Sequence, residues 1–426
     1  MNSEVEKADI VFRDDEHISQ TPAPGNQDPK AKVVIPPDGG LTAWTHALLM
    51  HLVFFNTWGV ANGYGVFQEF YNETLHENPS TIAWIGTVQV FLLFAIGAPA
   101  GRLTDAGYFR VVFSCGVALQ LLGIFLTSLC STYWHIFLCQ AVCLGIGNGL
   151  TFCPALSILP QYFDKYRAFA VGLAASGSAT GGIVYVVIFH STAKSGAVGF
   201  PWALRIMGFV MLATYLPCLF LFRPLLPPRP MAQWVDRSAF SDLRFIFFSL
   251  SMFFSFWGLY FAFFYLGTFA RTAVHIGEPV HLLIVLNAVG IVGRTLPGII
   301  ADRWTGMLNL LIPLIFASSL VVFCWIRVNS TSGLYAFSVV YGLLAASLQA
   351  IYPAVATTMT PDAARTGTRV GMILTLVSFA NLTGPAICGF IITQQNGRFV
   401  GAQIFAATSI LLAAIMAVCT KIVKQK

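Results

Sequence analysis

The hexapeptide Phe54-Phe55-Asn56-Thr57-Trp58-Gly59 returns 199 residues later as Phe253-Phe254-Ser255-Phe256-Trp257-Gly258. The same offset carries two further landmarks into the second half of the chain, Pro154 onto Pro353 and Gly172 onto Gly371. Landmarks that keep their order at one offset indicate that a single structural unit has been duplicated. Duplicated membrane-embedded units are typical of secondary transporters, in which the two copies rock about a site near the membrane midplane.

The composition places the chain in a membrane. Of its 426 residues, 56% are hydrophobic and only 10% are charged. A water-soluble protein of this composition would expose more apolar surface than water tolerates, so lipid has to be the solvent. Twelve apolar stretches are long enough to cross a bilayer, near 41–68, 80–101, 109–130, 133–160, 168–190, 201–222, 242–270, 280–301, 307–326, 333–358, 369–393 and 400–420. The sequence therefore predicts an all-α membrane protein with twelve transmembrane helices, arranged as two six-helix pseudo-repeats.

Basic residues predict the orientation and the domain organisation. Segments on the side of the N-terminus hold 18 Lys and Arg residues, whereas the opposite side holds four, Lys194, Arg271, Arg327 and Arg398. By the positive-inside rule, both termini are cytoplasmic. The net charge of +6 is thus an orientation signal, and no nucleic-acid partner is expected. The predicted parts are a disordered cytoplasmic tail (1–37), an N-terminal bundle (38–222), a cytoplasmic linker (223–241), a C-terminal bundle (242–420) and a cytoplasmic C-terminus (421–426).

Enzymatic and metal-dependent functions find no support in the sequence. The chain has no GxSxG elbow, no HExxH pair and no Walker A loop, so neither an enzyme nor a primary pump is predicted. Its nine cysteines lie in or beside apolar spans without metal-ligand spacing, so no metal and no cofactor is expected. His46 and His51 fall in the first span, where a structural role is favoured over proton transfer.

One cation stands apart inside the spans. Every Asp and Glu lies in the tail, in a loop or at a span end, whereas Arg294 precedes Asp302 by eight residues. Eight residues are about 12 Å of helix, which puts the guanidinium well inside the hydrocarbon. An intramembrane charge is by default a functional hypothesis, and a guanidinium offers two-pronged contact to a carboxylate. We therefore predict that Arg294 binds an anionic substrate group. The alternative is a structural arginine satisfied by helix carbonyls or snorkelling to the cytoplasmic side.

Other polar side chains complete the predicted sites. Spans one and seven occupy matching positions of the two halves and carry amides and phenols where a central cavity is expected. The predicted substrate-binding residues are Arg294, Asn62, Tyr64, Tyr260, Tyr265 and Asn287. Two loops with a Gly-xxx-Asp pattern are predicted to latch the cytoplasmic side. The predicted gating residues in these loops are Asp105, Arg110, Asp302 and Arg303.

These residues carry a family resemblance. The Gly-xxx-Asp loops resemble the signature loop of the major facilitator superfamily. The stretch Pro37-Asp38-Gly39-Gly40-Leu41-Thr42-Ala43-Trp44 is similar to the DGGWGW motif of monocarboxylate porters with one residue inserted, and the segment 162–177 is similar to their YFxKRRxLAxGxAxAG motif. The form of residues 293–298, GRTLPG, resembles that of fungal members. The resemblance covers nearly the whole chain from Pro37 and implies the major facilitator fold, with alternating access between two six-helix bundles.

The resemblance also carries expectations about coupling. Arg294 matches the arginine that binds substrate carboxylate in proton-coupled animal members. The lysine that those members carry late in span one aligns with Asn62, and the aspartate one turn before the arginine aligns with Gly290. Proton-coupled symport by the animal mechanism is therefore not expected, and we predict transport driven by the substrate gradient or by exchange.

The sequence as a whole predicts a secondary transporter that exports a small organic, anionic solute such as a secondary metabolite. Its expected partners are that solute and the lipid bilayer, and an ancillary subunit stays undetermined. The expected location is the plasma membrane, with an organelle membrane as the alternative. Uptake of a monocarboxylate or a riboflavin-like compound stays open. A non-transporting membrane sensor is the alternative from another class, and it would normally need an extended cytoplasmic domain.

Overall fold

The computed structural model describes residues 37–163, 166–193, 199–227, 235–359 and 363–423. Within these ranges the chain is helical and forms no strand. Nearly all of the predicted tail, part of the linker and the last three residues of the predicted C-terminus lie outside the described residues, at 1–36, 228–234 and 424–426.

The first half of the chain folds into nine described α-helices. They are α1 (Gly40–Asn62), α2 (Tyr64–Thr74), α3 (Pro79–Leu103), α4 (Phe109–Thr127), α5 (Tyr133–Ile136), α6 (Leu144–Ile158), α7 (Arg167–Ala175), α8 (Gly177–Ala193) and α9 (Gly199–Leu221). Three predicted spans are interrupted: α1 and α2 meet at Gly63, a π-helical segment joins α5 to α6, and Ser176 separates α7 from α8. These nine helices therefore build six crossings.

The second half folds into six long described helices. They are α10 (Leu243–Ala273), α11 (Val280–Ile300), α12 (Met307–Trp325), α13 (Thr331–Thr358), α14 (Ala363–Gln394) and α15 (Val400–Ile422). Ten described segments are long and apolar enough to cross a membrane, and one of them, Pro79–Thr127, contains both α3 and α4. With α1 added, the helices make twelve crossings, as the sequence predicts. We call the side on which α1 begins the inner side and the opposite side the outer side.

Local sequence explains where several helices begin. The Asp242 carboxylate accepts the backbone N–H groups of Arg244 and Phe245 and so caps α10. Pro79 occupies the first turn of α3, where its missing N–H costs nothing. Gly107 adopts a φ of 94° between α3 and α4, a conformation that glycine enters without strain.

Small residues let the helices pack closely. A Cβ added to Gly59 in α1 would lie 2.7 Å from the Cα of Gly181 in α8, so only glycine permits this approach. Between the two halves, α3 packs against α14 and α8 packs against α11. These two contact surfaces bring residues of both halves to the centre of the molecule.

Candidate functional site

Arg294 lies buried in α11, with 3% of its surface exposed. Its Nη1 donates to the carbonyl of Gly290 at 3.2 Å, and its Nη2 donates to the Oε1 of Gln349 at 2.5 Å. No carboxylate contacts it among the side chains that the structure describes. A guanidinium carries five N–H donors, so this cation keeps donors for an anion.

The same arginine lies where the two halves meet. A Cβ added to Gly172 in α7 would lie 3.0 Å from the Arg294 carbonyl oxygen, and one added to Gly290 would lie 3.9 Å from the Cβ of Ala179 in α8. Both neighbours belong to the first half, whereas Arg294 belongs to the second. Relative movement of the halves therefore changes the surroundings of this cation directly.

Trp58 and Tyr260 form an aromatic pair across the halves. Their ring centroids lie 6.3 Å apart with an interplanar angle of 13°. Both side chains are buried, and neither the indole Nε1 nor the phenol oxygen has a hydrogen-bond partner in the described protein. The sequence prediction included Tyr260 but missed Trp58, although Trp58 lies in the repeated hexapeptide.

Three other predicted binding residues have protein partners. The Tyr64 hydroxyl donates to the Ile82 carbonyl at 2.7 Å, and the Tyr265 hydroxyl donates to the Pro385 carbonyl at 3.1 Å. The Asn287 amide donates to the carbonyl of Leu283 at 3.0 Å, while its Oδ1 is buried without a partner. The structure thus places both tyrosines in the closed packing of the helices and leaves one acceptor of Asn287 available. Their role in substrate binding stays a prediction.

Four buried amides lack partners on both polar atoms. They are Asn62, Gln89, Asn148 and Asn381, each no more than 2% exposed, with no hydrogen bond to the described protein from either oxygen or nitrogen. Burying an unpaired amide is costly, so such groups are the ones that a bound solute can satisfy. Only Asn62 was among the predicted residues. The other three are also amides in apolar spans, and this is the sequence signal that could have identified them. The sequence alone does not distinguish an amide that binds a solute from one that forms an interhelical hydrogen bond.

Contacts between charged and polar side chains join the two halves at the outer side. Arg271, near the end of α10, contacts both Glu69 and Glu73 of α2. The His190 Nε2 in α8 lies 2.8 Å from the Glu278 carboxylate that precedes α11. Each cluster therefore has members from both halves, and together they hold the outer ends in contact.

A different cluster lies at the inner side of the second half. The Arg369 guanidinium contacts the Asp236 carboxylate at 2.9 Å and the Asp242 carboxylate at 3.1 Å. The hydroxyl of Ser238 and the guanidinium of Arg369 lower the pKa of Asp236 to about 2. This cluster ties the start of α14 to the start of α10.

The predicted gating residues lie on the inner side. Asp105 and Arg110 are exposed at the junction of α3 and α4, and Arg303 is exposed after α11. The side chain of Asp302 lies outside the described residues. Neither Arg110 nor Arg303 belongs to an ion pair among the described side chains. Their gating role stays a prediction.

The two span histidines have defined partners. The His46 ring stacks on Tyr162 at 3.9 Å, its Nδ1 donates to the Thr42 carbonyl, and its Nε2 accepts the Arg223 backbone N–H. The His51 Nδ1 lies 3.1 Å from the Leu173 carbonyl, and its Nε2 lies 3.1 Å from the Thr180 hydroxyl. These contacts favour structural roles at the contacts of α1 with α7, α8 and the segment after α9.

Comparisons with known proteins agree with this architecture. The family description "Major Facilitator Superfamily" matches residues 49–331. An MFS-type transporter of Gibberella zeae is 39% identical over 402 residues, covering 93% of this chain and 90% of the relative. The aspyridones efflux protein apdF of Emericella nidulans is 34% identical over 399 residues, covering 93% and 81%. A solved bacterial homologue of the human lysosomal transporter Spinster shares the fold, with a TM-score of 0.61 at 17% identity over 89% of this chain and 96% of that chain.

Proposed function

The chain belongs to the major facilitator superfamily, and on that premise we propose that it exports a small organic anion by alternating access. It is an integral membrane transporter, and its two halves match the two bundles that rock about a central site in this superfamily. The proposal adds the direction of transport, the charge of the solute and the residue that binds it.

Arg294 carries the proposal of an anionic solute. A buried cation is expensive in a membrane, and here the described partners are a neutral amide and a backbone carbonyl. An incoming carboxylate would add the missing opposite charge and accept two parallel N–H bonds. The position of Arg294 at the contact between halves would let the bound anion influence how they pack.

Two observations support export and the family branch. The relative apdF is named as an efflux protein, and it aligns with nearly the whole chain. The motif at Pro37–Trp44 and the segment 162–177 favour a fungal branch similar to monocarboxylate porters.

The excess of basic residues on the inner side favours cytoplasmic termini, and we propose the plasma membrane as the location.

The direct test compares metabolites inside and outside fungal cells that express the wild type, Arg294→Gln or no transporter. We expect at least one anionic compound to accumulate in the medium with the wild type and to stay in the cells with Arg294→Gln. Arg327→Gln is the matched control, since Arg327 is exposed after α12. Depletion of an anion from the medium would instead favour the uptake alternative. No difference among the strains in any compound would contradict transport of a cellular metabolite.

A further inference from the structure

The two tryptophans of the repeated hexapeptide have diverged in role. In the second copy, the Trp257 Nε1 donates to the Thr383 hydroxyl at 2.8 Å, which fixes the indole within the second half. In the first copy, the Trp58 Nε1 is buried and has no partner in the described protein. The duplication therefore leaves one indole as part of the helix packing and the other available to a ligand.

The surroundings of Trp58 are aromatic on several sides. Phe94 and Phe152 lie 5.4 Å and 5.7 Å away at steep angles, whereas Tyr260 is nearly parallel at 6.3 Å. A flat ring between two parallel rings needs about 7 Å, which is twice a carbon contact distance. The centroid distance places the two ring planes no more than 6.3 Å apart. Because Trp58 and Tyr260 belong to different halves, separation of the halves would open a slot for a planar group.

Unpaired amides lie one layer outward of this slot. Asn62 follows Trp58 by one turn of α1, and Asn148 precedes Phe152 by one turn of α6, which runs antiparallel to α1. Gln89 of α3 packs against Gly145 of α6, and Gly145 lies one turn before Asn148. A Cβ added to Gly145 would lie 3.1 Å from the Cα of Gln89. All three amides are at most 1% exposed and unpaired on both polar atoms. They offer donors and acceptors without charge.

We propose that Trp58 and Tyr260 hold the ring of a planar, conjugated acid, whose neutral oxygen or nitrogen groups bond to Asn62, Gln89 and Asn148. This inference rests on the proposed function, in which Arg294 binds the acidic group. It identifies the solute class, because a small aliphatic monocarboxylate has neither a flat ring for the slot nor additional groups for the amides.

The test measures binding to the purified full-length protein by calorimetry. The probes are 3,4-dihydroxybenzoate and its saturated analogue 3,4-dihydroxycyclohexanecarboxylate, which carry the same charge and hydroxyl groups and differ in planarity. We expect the planar acid to bind about tenfold more tightly, an advantage of the size that aromatic stacking supplies. Trp58→Leu should remove most of that advantage, Trp58→Phe should retain part of it, and Trp257→Leu, the matched control, should leave it unchanged.

The outcomes separate this inference from the proposed function. Equal affinity for the two acids, an unchanged preference in both Trp58 variants, or no binding of the planar acid at about 10 mM would overturn the planar-solute inference. If both acids bind equally and both lose affinity in Arg294→Gln, the anion site stands and only the inference falls. If Arg294→Gln binds both acids like the wild type, the proposed function itself falls.

Discussion

Arg271 of the second half contacts Glu69 of the first half at the outer ends of the two bundles. Glu73 contacts the same guanidinium, and His190 with Glu278 forms a second pair between the halves. We call the group formed by Arg271, Glu69 and Glu73 the outer latch. Because its members belong to different halves, opening the outer side has to break these contacts.

Breaking the outer latch should shift the protein toward states that are open on the outer side. Arg271→Gln removes the cation, and Ser80→Cys provides a reporter at the contact between Ser80 and the Ala386 carbonyl of the other half. We expect faster labelling of this cysteine by a membrane-impermeant maleimide, by a factor of about two to ten, since exposed and partly exposed ion pairs contribute little individually. Arg327→Gln in the same background is the control. Unchanged labelling would show that the latch does not set this equilibrium.

Gly65 should permit closure of the outer side. A Cβ at this position would lie 2.6 Å from the Phe263 carbonyl oxygen in the other half, and a backbone atom cannot move aside cheaply. We expect Gly65→Ala to slow transport about tenfold, because overpacking of this kind costs about 1–3 kcal/mol in the closed state. Gly277→Ala, which has open space around it, should transport normally. Normal turnover of Gly65→Ala would mean that the closed contact is not part of the cycle.

The inner cluster around Arg369 should stabilise the second half at neutral pH. The pKa of Asp236 falls from 3.8 to about 2, so its stabilising contribution is present above the ordinary pKa and is lost as pH falls from 3.8 toward 2. Asp236→Asn should lower the free energy of unfolding by about 2 kcal/mol at pH 7, the scale of a hydrogen bond to a charged group. Thermal unfolding in detergent at several pH values measures this. A difference from the wild type that grew as the pH fell below 3.8 would contradict the assignment.

An imposed pH gradient should add little to transport. Glu69, near the outer end of the first span, is paired with Arg271, and His46 is fixed by Thr42 and Arg223. Solute uptake into reconstituted vesicles, with and without a pH difference of about one unit, measures the coupling. A protonophore serves as the control. Accumulation that follows the gradient and collapses with the protonophore would refute this prediction, and Glu69→Gln and His51→Gln would then identify the proton carrier.

The architecture could be predicted because the lengths of the apolar stretches and the repeated motifs can be read directly from the sequence. The twelve crossings could be predicted from the lengths of the apolar stretches. The break of the first span at Gly63 could not, because glycine is also common inside unbroken membrane helices. Trp58 and Tyr260 meet only because the two halves assemble, and a repeat pattern cannot show that Trp58 and Trp257 have different partners. The outer latch was missed for the same reason.

Arg294 could be found from the sequence because it lies deep inside an apolar span, whereas the other charged side chains lie in the tail, in loops or near span ends. Its partners were not predictable, because Gln349 is 55 residues away and one of many polar residues in the spans. The guanidinium keeps N–H donors available because, among the described residues, the packed helices place only the Gly290 carbonyl and the Gln349 amide within its reach. The proposed binding of an anion depends on these donors more than on any other feature of the site.

The most direct measurement compares efflux of an exported acid and of its neutral amide from vesicles that contain the wild type, Arg294→Lys or Arg294→Gln. We predict that Arg294→Gln lowers acid efflux at least about tenfold, that Arg294→Lys restores only a small part because it lacks the planar fork, and that amide efflux changes little. Equal protein in the vesicles and equal melting temperatures exclude a folding defect. Acid efflux by Arg294→Gln at the wild-type rate would contradict the claim that Arg294 binds the solute.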